Sequence, residues 1–109
     1  MSKAASKRGS GNVFADLMIA DSETHLLKAQ LVARLQEVIR AKKITQAKTA
    51  ELIGVSQPDV SRMLRGQFRD ISVERLMLFL TRLGCTVFIV VKPANKKAFA
   101  PIHLHGEPV

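Results

Sequence analysis

Apolar residues return at helical intervals through most of this chain. Between Ser22 and about Lys42, Leu27, Leu31, Leu35 and Val38 form one stripe, with Val32 and Ile39 beside it. That spacing predicts an amphipathic helix. Asp21 is the expected N-cap and Glu23 suits the first turn, while Arg40, Lys42 and Lys43 crowd the other end, where cations complement the helix dipole. Upstream, Val13, Phe14, Leu17 and Ile19 make a short apolar segment, expected to fold back onto the body as one helical turn.

Helix breakers divide the chain beyond Lys43. A second helix is expected from Thr45, its N-cap, to Leu52 or Ile53, and Gly54 ends it because glycine accepts the left-handed conformation. A third begins after Ser56. Pro58 falls in its first turn, where the missing N–H has no intrahelical partner, and Asp59 sits at the capping-box spacing from Ser56. Gly66 closes it. A fourth begins after Ser72 and continues through Val73, Leu76, Met77, Leu80 and Leu83, and Gly84 stops it. Then comes CTVFIVVK, Cys85 to Lys92, rich in β-branched residues and bounded by Gly84 and Pro93, which reads as a strand. Thr86, Phe88 and Val90 occupy one face and Val87, Ile89 and Val91 the other. A lone strand cannot satisfy its own backbone groups. The expected partner is the same strand of a second copy, making a homodimer. The rival is a hairpin with the tail around Ile102 to His105.

Residues 45–64, TQAKTAELIGVSQPDVSRML, join two of these short helices at Gly54. The pattern is that of a helix-turn-helix. Ala50 is small where the next helix crosses, and Ile53, Val55, Val60 and Met63 are expected to pack the inner angle. With Val60, Met63 and Leu64 turned inward, Pro58, Arg62 and Arg65 point outward, Ser61 lies on the flank and Gln57 stands at the tip. Asp59 is expected on the side facing away. A helix held by its back with its N-terminal end exposed can enter a major groove. There glutamine pairs with adenine, and arginine with guanine or phosphate. Without that frame Arg62 and Arg65 are simply solvated charges.

The stretch resembles the helix-turn-helix of the Cro and phage-repressor (XRE) family, down to Gln46 opening the first helix and Gln57 opening the second. The resemblance implies that Gln46 contacts phosphate and braces the first recognition residue, and that the chain from Gly66 to Arg69 also meets phosphate. The expected DNA-binding set is Gln46, Ser56, Gln57, Pro58, Ser61, Arg62, Arg65, Gln67 and Arg69. Lys48 and Thr49 depart from the family pattern; Lys48 replaces an acidic residue often found there. Together with LRGQFRDISVERLMLFLTRLG and the strand, the region from Asn12 to Pro93 is similar to HigA-like antitoxins. These repress their own operator and neutralise a RelE-like toxin, usually an mRNA-cleaving ribonuclease.

Composition agrees with a polyanionic partner. The 109 residues carry 17 Lys+Arg against 9 Asp+Glu, a formal net charge of +8, and allow one modest core. Cys85 stands alone, so no internal disulfide forms, and a buried thiol in a reducing cytoplasm is the expected role. No stretch is long and apolar enough to span a membrane. MSKAASKRGSG lacks the apolar core of a signal peptide and reads as a flexible basic arm, with Lys3, Lys7 and Arg8 adding nonspecific attraction. His103 and His105 would share a strand face but have no third ligand nearby, and His25 reads as a helix-surface residue. The five phenylalanines, with no Trp or Tyr, read as core rather than a stacking platform for single strands. No residues form a catalytic constellation, so an enzyme is not expected, nor any cofactor.

The expected architecture is all-α, a phage-repressor-like helical bundle with helix-turn-helix plus one C-terminal β-strand used for dimerisation. Its parts are an arm and short packed segment (1–21), the DNA-binding domain (22–84), the dimerisation strand (85–92) and a tail (93–109). The expected function is sequence-specific duplex-DNA binding and repression, as the autoregulating antitoxin of a pair. Two alternatives stay open: a module whose main task is sequestering a RelE-like toxin, and a stand-alone regulator.

Overall fold

The computed structural model describes residues 13–93 and 102–106, with side chains from Ser22 onward. The basic arm and the side chains of Val13, Phe14, Leu17 and Ile19 lie outside the described residues. Four helices are present, in the order α1 (Val13–Lys42), α2 (Gln46–Ile53), α3 (Gln57–Leu64) and α4 (Val73–Arg82).

α1 is a single helix of 30 residues, about 45 Å long. It passes straight through Asp21, so that residue is not an N-cap and the apolar segment before it is not a separate turn. The reason lies in the sequence: neither glycine nor proline occurs between Val13 and Lys42. An interior aspartate costs only about 0.7 kcal/mol relative to alanine, too little to end a helix. α1 stops at Lys43, which takes a left-handed φ of 56°. There the Ile44 N–H donates to the Ile39 carbonyl at 3.4 Å, closing the helix without a glycine.

α1 packs across α4 and touches α3, while α2 packs against α3 and α4. The centre is made by Leu35 from α1, Val60 and Met63 from α3, and Leu76 from α4, all at most 1% exposed. Each such side chain contributes roughly 1.5–3 kcal/mol by leaving water. The predicted stripe of α1 is the buried one: Leu31, Val32, Leu35 and Val38 are buried, and Leu27 and Ile39 pack at its margin. Thr49 is also fully buried, and its hydroxyl donates to the Thr45 carbonyl at 2.8 Å. That bond offsets the cost of burying a polar group.

Phe68 and Phe79 belong to this core, but Phe88 is 82% exposed, so the phenylalanines are not all interior. His25 is half-buried and stacks on Phe68, ring centroids 5.3 Å apart, rather than standing free on the helix surface. Cys85 is half-buried rather than buried.

The expected strand at Cys85–Lys92 is not formed, and the rival hairpin with Ile102–His105 is not formed either: among the described residues there is no strand. Strand structure exists only through a partner ladder, and the described residues supply none. Cys85 and Val87 pack against the core; beyond them Phe88, Ile89, Val90 and Val91 all stand in solvent.

Candidate nucleic-acid interface

Local chemistry sets where α2 and α3 begin and where the chain turns between them. The Thr45 hydroxyl accepts from the Lys48 N–H at 3.0 Å and caps α2. Gly54 ends that helix at a φ of 81°, its N–H donating to the Ala50 carbonyl at 2.9 Å. An added Cβ at Gly54 would meet nothing closer than 3.7 Å, so glycine is required there by backbone conformation and not by space. Ser56 caps α3, its hydroxyl accepting from the Asp59 N–H at 3.2 Å, with Pro58 in the first turn.

α3 is fixed by its back. Val60 and Met63 are buried and Leu64 is half-buried against the core. Gln36 of α1 donates to the Leu64 carbonyl at 2.8 Å. Gln57, Pro58, Arg62 and Arg65 are exposed, and Ser61 is half-buried on the flank. Within α3, Pro58, Ser61 and Arg62 lie in an arc of about 100° opposite Val60 and Met63, while Gln57 is the first residue of the helix and Arg65 its C-cap. Gln46 is exposed as the first residue of α2, and Ser56, Gln67 and Arg69 are exposed around α3.

The chain after α3 is tied down as well. The Gln67 N–H donates to the Arg62 carbonyl at 2.9 Å, and the Lys28 ammonium of α1 donates to the Arg69 carbonyl at 2.7 Å. Lys28 and Gln36 therefore brace the two ends of the segment between Leu64 and Arg69. Neither is visible as a site residue in the sequence, because each acts on a carbonyl far along the chain.

Asp59 is not isolated from the outward-facing arginines. Its carboxylate forms an ion pair with the Arg62 guanidinium, and both side chains are about half exposed. Residues three apart on a helix are neighbours, so a long arginine reaches an aspartate one turn back. Hydrogen bonding to Ser56, and then to Arg62, holds the Asp59 carboxyl below the usual aspartate range. Lys48 pairs with Glu51 at 3.3 Å, an exposed contact of little energetic weight.

Among the described residues no three of His, Cys, Asp and Glu cluster as metal ligands, and no helix is long and apolar enough to cross a membrane.

A family profile described as a helix-turn-helix domain matches residues 13–92. A solved structure assigned as a putative XRE-family transcriptional regulator is 33% identical, with a TM-score of 0.75, over 80% of this chain and 99% of its own. A search of curated proteins gave no match. The profile spans all four helices and the solved structure shares their arrangement, so this chain belongs to the helix-turn-helix family, in its XRE-type form.

Proposed function

We propose that this protein is a sequence-specific duplex-DNA-binding repressor that inserts α3 into the major groove. The observation that carries this reading is the division of α3: Val60 and Met63 are sealed in the core while Gln57, Pro58, Arg62 and Arg65 stand exposed. A helix so held presents hydrogen-bonding side chains from a rigid support, as groove recognition needs. Gln57 then reads a base, adenine being the best geometric match, and Arg62 meets guanine. Arg65, Gln67, Arg69 and Gln46 meet phosphate, Ser56 and Ser61 add hydroxyl contacts to the backbone, and Pro58 offers an apolar surface to a thymine methyl. The net charge of +8 favours the encounter.

The operator is bound by a homodimer joined through Cys85–Lys92. Four consecutive apolar residues, Phe88 to Val91, are 75–91% exposed in the single chain, a costly arrangement that an antiparallel ladder with a second copy removes. A two-fold dimer presents its recognition helices to successive grooves about 34 Å apart and implies a roughly palindromic site. The repressor works in the cytoplasm as a HigA-like antitoxin acting on its own promoter and neutralising a RelE-like toxin. The resemblance of the whole helical region supports this part.

Footprinting on the protein's own promoter tests the DNA reading. Protection of a two-fold site is expected, and no protection at any salt concentration would sink it. Copurification with the product of an adjacent gene, and loss of that product's ribonuclease activity in the complex, tests the antitoxin role.

A further inference from the structure

The ion pair on the recognition helix has a direction. Long side chains on a helix lean toward its N-terminus, over the preceding turn. Arg62 obeys that rule, and its Nη2 reaches back to Asp59 in the first turn of α3. The guanidinium is thereby drawn to the end of the helix where Gln57 and Pro58 stand. Asp59 is itself held in place, since its backbone N–H donates to the Ser56 hydroxyl that caps the helix. A guanidinium has five N–H donors in a planar fork. The contact to Asp59 is made through Nη2, which leaves other N–H donors of the fork to meet guanine O6 and N7.

We propose that Asp59 is the positioning residue for Arg62, fixing the guanidinium in the orientation that reads one guanine. This rests on the major-groove reading of α3. Asp59 touches no base. It restricts a flexible side chain before binding, so less rotamer freedom is lost in the complex. A carboxylate at a DNA surface repels phosphate, and an aspartate serving only as a cap is replaceable by neutral residues. Pairing with Arg62 gives the charge a use.

The test is selection from a pool of randomised duplexes with the full-length protein, then affinity measurement on the selected duplex and its single-base variants. Arg62→Ala should flatten preference at one position of each half-site. Asp59→Asn should lower preference for the same base by roughly tenfold. The double variant should be no worse at that position than Arg62→Ala alone, since the two residues act through one contact. Asp59→Glu keeps the charge at a helix position where glutamate also caps, and it should restore most of the preference. Thermal midpoints of all variants separate these effects from folding. If Asp59→Asn raises affinity for every duplex and leaves the base preference intact, Asp59 is only a repulsive charge and the proposal is overturned. It is equally overturned if Arg62→Ala leaves every base preference in place. A wild-type protein that enriches no sequence would instead strike the DNA-binding reading beneath it.

Discussion

Gln57 is the first residue of α3 and is exposed at its tip, and in the proposed docking its amide meets a base edge. Gln57→Ala is expected to relax preference at one operator position and cost roughly 1–3 kcal/mol of binding. The thermal midpoint should stay put; unchanged affinity across every base substitution would remove Gln57 from the readout. Arg65, exposed at the C-terminal end of the same helix, is expected to contact phosphate. Arg65→Ala should weaken specific and nonspecific binding alike and make the log–log salt slope shallower by about one unit. An unaltered slope with lost preference would reassign it to a base. Asp59 carries a pH signature. Its folded-state pKa is lowered, first by the Ser56 hydrogen bond and then by Arg62. Its contribution to stability is therefore full above the unfolded-state aspartate value and is lost as pH falls through the lowered folded one. The thermal midpoint of Asp59→Asn should lie below wild type at neutral pH and converge with it in acid. A gap that persists unchanged into acid would show that the carboxylate charge contributes nothing to stability.

At the scale of the element, each helix of the proposed interface is short, and eight residues are marginal without help. Caps and tertiary packing supply that help. Ser56→Ala removes the hydroxyl that accepts from Asp59 and should cost about 1 kcal/mol. In a domain of this size that lowers the thermal midpoint by about 4–8 °C. A midpoint equal to wild type would show that the cap does not stabilise α3. The caps of α2, α3 and α4 at Thr45, Ser56 and Ser72 are all hydroxyl residues accepting from the N–H three positions on. Those at Thr45 and Ser56 are legible in the sequence because capping is local. α1 is less legible: its stop at a left-handed Lys43 and its passage through Asp21 have no single strong signal.

At the scale of the whole molecule, the segment after α4 carries the proposed dimer contact. Phe88 and Val90 are 82% and 78% exposed, so charging them should not disturb the four-helix body. A Phe88→Glu, Val90→Glu double variant is expected to sediment as a folded monomer with helicity intact. It should bind the full operator far more weakly, because two linked half-sites bind much better than one. A variant that remains a dimer with full affinity would place the interface elsewhere. This choice of variant leaves Cys85 and Val87 packed on the core, which a truncation after Gly84 would remove.

Sequence alone determined the order of the helices from Thr45 onward, the hydroxyl caps at Thr45 and Ser56, the turn at Gly54, and which stripe of α1 and α3 is buried. Each depends on residues within about two turns of one another, where periodicity, capping and glycine's conformational freedom act directly. It also determined the candidate reading face, because a buried stripe on a helix fixes its opposite. Only the tertiary structure decided that Lys28 and Gln36 of α1 brace the chain around α3, that His25 stacks on Phe68, and that Thr49 is sealed inside. Those contacts join residues far apart along the chain, or depend on which helix covers which, and no local period encodes them. The Asp59–Arg62 pair lies between the two cases: its spacing is in the sequence, but angular direction alone does not show that the two side chains meet. A long side chain reaches across a turn, and the folded surface decides where its charged end comes to rest.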